Sequence, residues 1–366
     1  MKAYIVERDK LKNNIDIVKK RAAGKPIYGV IKANGYGLGL LQLARVLRDE
    51  GIDRFAVTEP SDAIRLRMAG FIDEEILVMR PVVSEADVSD IIDAHAVATI
   101  GSYDDAVLLS GLAEKHAEVV EAHIKIDTGM GRYGFVPAET ERIAQIYRYM
   151  KRISITGLYT HFNCAFGSMK KTNAQLESFL AVADRLRESG CNPGCVHAAN
   201  SSFLFRGDIS RTDAVRVGSA FLGRLPCRLK NNAGLQPVGY ARCEVVQVRW
   251  LREGQTVGYG AAYTAKKAVR VAVIPFGYAD GFGVARANDI FRFRDRLRYL
   301  LHDVRGLFSA RRMTVTIHGR RAPVLGHIGM VHCVADVSSI QCEPGDEAVI
   351  EVSPVYANSA IERIYE

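Results

Sequence analysis

Val30-Ile31-Lys32-Ala33-Asn34-Gly35-Tyr36-Gly37-Leu38-Gly39 is the stretch on which the fold of the whole chain turns. The apolar run Ile27–Ile31 predicts a buried strand, and a lysine ends it. Three glycines follow within Gly35–Gly39, with a tyrosine among them, and Leu40–Leu47 has helical periodicity. A cation at the mouth of a buried strand is costly unless it has a partner or a task. Desolvation lowers a lysine's pKa and makes its amine a nucleophile able to form Schiff bases. The glycines let backbone approach an anion, and Tyr36 can offer that anion a hydroxyl. A lysine snorkelling ahead of an ordinary Gly-rich βα turn fits the same residues. The remaining sequence has to decide between these two.

Over residues 1–225 short apolar runs alternate with segments of helical spacing. The runs are Ile27–Ala33, Phe55–Thr58, Ile76–Met79, Ala96–Ile100, Ala122–Ile126, Ile155–His161, Cys195–Ala199 and Ala214–Ala220, eight candidate strands. Helical spacing occurs at Gly39–Gly51, Ser61–Ala69, Ala86–Ala94, Asp104–Lys115, Glu139–Met150 and Asn173–Glu188. This alternation predicts an α/β fold, an N-terminal (β/α)8 TIM-type barrel. A doubly wound open sheet is the alternative, weakened because no Gly-x-Gly-x-x-Gly opens the first helix.

Residues 226–366 predict a mostly β C-terminal domain. Ala241–Trp250 reads as one strand, followed by Val269–Pro275, Met313–His318, Arg321–Leu325, Val334–Val337 and Ala348–Val352. The segment 287–311, rich in Arg, Phe and Leu, interrupts this series and reads as a helical insertion.

Composition narrows the class. The chain has 366 residues, more than one core usually serves, so two domains are expected. At 48% hydrophobic and 25% charged it has an ordinary soluble balance. No apolar run reaches spanning length and no basic-then-apolar leader is visible, so neither membrane partner nor secretion is expected. The net charge of +8 raises the question of nucleic acid, but Lys and Arg are dispersed apart from the cluster at Arg292–Arg312. The charge suits an enzyme that attracts anionic small molecules. Seven cysteines without a CxxC pair read as reduced thiols of a cytoplasmic protein, and no metal site is expected.

In a barrel, catalytic groups sit at the carboxyl ends of the strands. Those ends carry Lys32; Asp127-Thr128-Gly129-Met130-Gly131-Arg132; Thr160-His161; His197 with Asn200 and Ser201; and Arg216 with Gly218 and Ser219. One polar strand end is usually structural, but five of eight point to a polar pocket. Lys32, Tyr36, Ser201 and the Gly218–Ser219 turn suggest an anion cradle beside an amine, which suits pyridoxal 5′-phosphate (PLP).

These motifs make the sequence resemble the alanine racemase family, PLP enzymes with an N-terminal barrel and a C-terminal β domain. The opening stretch resembles the family's PLP-lysine motif, with Gly35 where Ala is usual. Similar segments are Lys125–Gly134, Gly157–Phe162, His197–Ser201, Val215–Gly218, Gly258–Ala265 and Gly277–Gly281. The resemblance implies that Lys32 holds PLP and acts as one base, with Tyr259 from the other subunit of a homodimer as the second. It implies that Tyr36 and Ser201 bind the phosphate, helped by Asn200, Gly218 and Ser219. His161 would lie against the cofactor ring, and Arg216, supported by His197, would face the pyridine nitrogen. Arg132 and the Met330 amide would meet the substrate carboxylate; Tyr263 and Tyr278 would line the entrance. Lys125 matches a position carbamylated in some members.

The chemistry is coherent. Two bases on opposite faces of Cα racemise it without rotating the substrate, and a phenol needs nearby cations such as Arg132 to serve as one. A guanidinium only donates, so Arg216 would leave the ring nitrogen unprotonated and the electron sink weak, favouring return of the proton.

Departures from the family lie on the substrate side. Val331 stands where an Asp is common, Asn163 and Cys164 where small residues are usual, and the C-terminus lacks the usual final motif. The implied reaction is interconversion of L- and D-alanine or a similar amino acid such as serine. The alternatives are a racemase for other amino acids, a fold-related PLP decarboxylase and a non-catalytic PLP-binding protein. Arg216 speaks against the decarboxylase, and the second domain with Tyr259 speaks against the non-catalytic protein.

Overall fold

The structure is a computed structural model that describes residues 2–286, 293–308 and 312–366. The ends of the predicted insertion, 287–292 and 309–311, lie outside the described residues. The chain forms two compact units, Arg8–Val238 and Met1–Glu7 with Gly239–Glu366. Alternation along the sequence divides it at 225 and leaves the N-terminus with the barrel. The structure instead pairs strand β1 (Ala3–Val6) with strands of the second unit.

The first unit opens with helix α1 (Arg8–Ala22), which buries Leu11, Asn14, Ile15, Val18 and Ala22 along one face. Eight strands then close into a parallel barrel. They are β2 (Ile27–Val30), β3 (Arg54–Val57), β4 (Glu75–Pro81), β5 (Val97–Ile100), β6 (Val120–Lys125), β7 (Ile153–Tyr159), β8 (Cys195–Ala199) and β9 (Ala214–Val217). Closure is made by β2 against β9, with Tyr28 opposite Arg216. The open-sheet alternative is excluded. Parallel strands are covered on both faces, which is why they stand out as apolar runs.

Between strands lie α2 (Leu40–Asp49), α3 (Pro60–Met68), α4 (Glu85–Asp93), α5 (Tyr103–Lys115), α6 (Thr140–Tyr149), α7 (Met169–Glu188) and the short α8 (Ser201–Leu204). Ser84, Ser102 and Ser168 cap α4, α5 and α7 by accepting from the backbone N–H three residues on. The barrel interior holds a layer of Tyr28, Val30, Ala56, Leu77, Val97 and Ala214.

The second unit is β-rich. Its strands are β10 (Tyr240–Glu244), β11 (Gln247–Leu251), β12 (Thr256–Val257), β13 (Tyr263–Thr264), β14 (Val269–Ile274), β15 (Thr314–Ile317), β16 (Arg320–Pro323), β17 (Cys333–Asp336), β18 (Glu347–Ile350) and β19 (Glu362–Tyr365). The six-stranded sheet runs β16-β15-β18-β10-β1-β19, and a three-stranded sheet runs β11-β14-β17.

The single strand expected over Ala241–Trp250 is two. The Val245 N–H donates to Asp346 in the first sheet, whereas the Val246 N–H donates to Val273 in the second. The chain changes sheets at that junction. The insertion contains helix α9 (Phe293–Phe308).

Candidate active site

Lys32 follows β2 directly, and the chain then makes a left-handed turn. Ala33, Asn34, Gly35 and Tyr36 have φ of 52°, 53°, 63° and 53°. Left-handed helical backbone costs L-residues roughly 1–2 kcal/mol each, so Gly35 relieves part of the strain. Hydrogen bonds hold the rest in place: Gly35 N–H to Ile31 O at 2.8 Å, Gly39 N–H to Asn34 O at 2.9 Å, and Leu40 N–H to Asn34 Oδ1 at 2.9 Å. The turn brings Tyr36 against Gly218. A Cβ on Gly218 would lie 2.6 Å from the Tyr36 hydroxyl, so any other residue there would displace Tyr36.

Lys32, Tyr36, Arg132, His161, Asn200, Ser201, Arg216, Gly218 and Ser219 all line one cavity of about 260 Å³. Ser201 Oγ accepts from the N–H groups of Gly218 and Ala220 at 3.2 and 3.4 Å, which turns its own proton outward as a donor. Burial pushes the Tyr36 hydroxyl up to about 12, so it too remains a donor. Asn200 has a structural task as well: its Oδ1 caps α8 by accepting from Phe203 N–H at 3.0 Å.

Among the described residues the Lys32 amine has no hydrogen-bond or ion-pair partner. Burial, reinforced by the Arg132 charge, lowers its pKa. His161 is held neutral, down to about 3, by burial and by the surrounding cations Arg216, Lys125, Arg132 and Lys32. Asp127 organises the loop that carries Arg132. Although burial opposes its ionisation, four backbone N–H groups, Gly129 to Arg132, donate to its two oxygens and lower its pKa.

His197 does not line the cavity. It is fully buried behind Arg216, between the rings of Tyr28 and Tyr159 at 5.0 and 5.1 Å. Arg216 donates from its Nη1 to His197 Nδ1 at 2.9 Å and from its Nη2 to the Thr160 carbonyl. Because arginine only donates, His197 Nδ1 accepts and the His197 proton sits on Nε2. That proton is donated to His123 Nδ1, 3.0 Å away. The His123 proton therefore sits on Nε2, 4.0 Å from the Glu75 carboxylate, which also accepts from the Tyr28 hydroxyl. Burial and the Arg216 charge hold both imidazoles neutral.

Sequence reasoning passed over His123, Glu75 and the tyrosines Tyr28 and Tyr159. The signal was there: in β6, Glu121, His123 and Lys125 alternate with Val120, Ala122 and Ile124, which puts a polar row on one face.

In the second unit Tyr259 is 82% exposed, on a turn between β12 and β13. Tyr263 starts β13 and packs on the apolar cluster of Leu251 and Val257. Tyr278 and Met330 are also exposed, and their loops are tied together. Tyr278 N–H donates to Gly329 O at 3.0 Å, and Ala279 N–H donates to Met330 O at 2.9 Å. Asp280 is structural: its Oδ2 accepts from Gly277 N–H and from Lys2, each at 2.9 Å. Among the described residues no cluster of His, Cys, Asp and Glu could hold a metal ion, and no helix is long and apolar enough to cross a membrane.

The residues present fit PLP. The Tyr36 and Ser201 hydroxyls beside Gly218 offer donors to a phosphate, and the Lys32 amine stands in the same cavity.

Residues 6–226 match the profile "Alanine racemase, N-terminal domain" and residues 238–363 match "Alanine racemase, C-terminal domain". An alanine racemase of Methanococcus maripaludis is 32% identical over 365 residues, covering 98% of this chain and 90% of the relative. One from Methylacidiphilum infernorum is 31% identical over 343 residues, covering 93% and 80%. The solved alanine racemase of Clostridium difficile 630 superposes with a TM-score of 0.87 at 25% identity, covering 100% of this chain and 95% of that one. With both domain profiles matched in order around a cavity that carries the expected polar strand ends, the chain belongs to the alanine racemase family, whose members depend on PLP.

Proposed function

We propose that the protein interconverts L- and D-alanine, with PLP held at Lys32. The observation that carries this reading is the desolvated, unpartnered Lys32 amine facing the Tyr36–Ser201–Gly218 cradle within one cavity. PLP, when bound, supplies an electron sink for the pair left at the substrate Cα as its proton departs. The Tyr36 and Ser201 hydroxyls would bind the phosphate as donors, with Gly218 leaving room for the Tyr36 ring beside them. Arg216, charged and donor-only, lines the cavity where it would meet the cofactor's ring nitrogen and would give it no proton. Neutral His161 would lie against the cofactor ring. Arg132 orients the substrate carboxylate and adds positive potential to the site.

Lys32 Nζ takes and returns the α-proton on one face. Tyr259 of the partner subunit does so on the other, which explains why a large aromatic is left 82% exposed on a single copy. Tyr263, Tyr278 and Met330 shape the entrance.

Mixing the PLP-loaded protein with single L-amino acids in D2O tests this. L-alanine should exchange its α-proton and lose optical rotation, and Lys32→Ala should do neither. Full racemisation by Lys32→Ala would overturn the mechanism. CO2 release from a basic or acidic amino acid would replace the activity with decarboxylation. Serine belongs in the same panel, because Asn163 adds a carboxamide to the cavity wall.

A further inference from the structure

The insertion is a large element to which the proposed site assigns no task. Its helix α9 reads FRDRLRYLLHDVRGLF. At about 100° per residue, Phe293, Leu297, Leu300, Leu301 and Val304 share an arc of roughly 100°. These five are exposed by 79, 46, 60, 50 and 41% respectively. Single exposed apolar residues are ordinary, whereas a continuous stripe along one helix marks an interaction surface. Arg294, Arg298 and Arg305 border one side of the stripe, and Arg296 borders the other.

Where the insertion is rooted indicates what covers the stripe. Its two described ends meet beside Ile328. A Cβ on Gly283 would lie 3.4 Å from Met313 Sδ and 3.2 Å from Ile328 Cδ1. Ile328 precedes Gly329 and Met330, whose carbonyls accept from Tyr278 and Ala279. The insertion therefore springs from the loops that carry Tyr278 and Met330. That face also bears exposed Tyr259, since a Cβ on Gly258 would lie 3.2 Å from the backbone of His327. Under the proposed function this is the face that meets a second copy.

We infer that α9 docks through its apolar stripe on a second copy of this chain, beside the cavity that Tyr259 completes. The inference rests on the two-copy reading of the active site given above. Antiparallel pairing of two α9 helices is disfavoured, because it sets the Arg294, Arg298 and Arg305 edge against itself. The stripe of each copy therefore meets a different surface of the other, and two-fold symmetry makes the contact twice. The completeness of both active sites then depends on an element outside the catalytic set.

Sedimentation velocity on the PLP-loaded, full-length protein across a dilution series tests this. The double variant Leu297→Glu/Leu301→Glu should raise the dimer dissociation midpoint by roughly a hundredfold or more, because it places charge where apolar contact is lost. Leu297→Ala/Leu301→Ala, the milder pair, should raise it by about tenfold. Turnover per mole of protein should fall over the same dilution range, with the thermal unfolding of the barrel unchanged. Wild-type dimer midpoints in both variants would overturn the inference, as would a wild-type protein that is monomeric throughout. Salt-sensitive binding of wild type to phosphatidylglycerol vesicles, lost in the Glu pair while the dimer midpoint stays put, would assign the stripe to lipid and also overturn it. If the midpoints move as expected but no amino acid is racemised, the docking inference stands and the catalytic reading fails.

Discussion

Gly218 and Lys125 show how tightly single residues are bound to the site's purpose. A methyl group on Gly218 would occupy the space of the Tyr36 hydroxyl, so Gly218→Ala has to push Tyr36 out of the cradle. PLP affinity should fall by about tenfold or more in an absorbance titration, because one charge-assisted donor is displaced. Unchanged affinity would mean that the phosphate binds elsewhere. Lys125 is a different case. It is 2% exposed, its amine lies 5.4 and 5.6 Å from the rings of Tyr133 and Tyr159, and it donates to the Ile126 carbonyl at 3.4 Å. Burial and the Arg216 charge lower its pKa to about 8, against the opposing pull of Asp127. Near pH 8 much of it is therefore the neutral amine, the form that adds CO2. A carbamate there would set a negative charge among Arg132, Arg216 and Lys32. Incubation with ¹³C-bicarbonate at pH 8 should give a carbamate carbon signal that Lys125→Gln lacks; identical spectra would exclude the modification.

At the scale of elements, the eight barrel strands were legible because each is covered on both faces and shows as an apolar run. Lys32, Arg216, Ser201 and His161 were legible because polar groups terminate such runs. Other features left no such mark. Strand β1 is only four residues, Ala3–Val6, too short for a periodic signal, and its partners β10 and β19 lie far along the chain. The change of sheets at Val245–Val246 keeps the strand character of both halves, so nothing in the pattern reports it. The buried chain from Arg216 through His197 and His123 to Glu75 was hidden for another reason. Its members come from β9, β8, β6 and β4, and only barrel closure sets them in line. Donor-only Arg216 sets both tautomers from one end of that line, while the Glu75 carboxylate lies 4.0 Å from His123 Nε2 at the other. Imidazole ¹⁵N spectra should show both histidines as single Nε2–H tautomers in wild type. Glu75→Gln should leave both tautomers in place, because the order of donors runs from Arg216. A tautomer mixture at His123 in that variant would show that the carboxylate, and not Arg216, sets them.

For the molecule as a whole, the barrel holds three neutral histidines in one unit, His123 and His197 buried and His161 half-buried at the cavity wall. Burial is the main cause in each case, with Arg216 next, and it lowers their pKa values, to about 3 for His123 and His161. In the unfolded chain the same groups titrate near 6.5. Above that pH both states hold them neutral and they contribute nothing to the pH dependence. Below it the unfolded state binds protons that the folded state refuses, so stability falls with pH down to the folded values. At pH 5 the cost is about 2 kcal/mol for each such histidine, an order-of-magnitude figure. The apoprotein should therefore lose stability steeply between pH 6.5 and 4 in denaturant titrations, with close to three protons taken up on unfolding from these groups. His161→Gln, at the cavity wall, should remove about one of them and flatten the slope accordingly. An unaltered slope in that variant would mean that His161 is already protonated in the folded protein, and it would contradict the neutral ring on which its place against the cofactor depends.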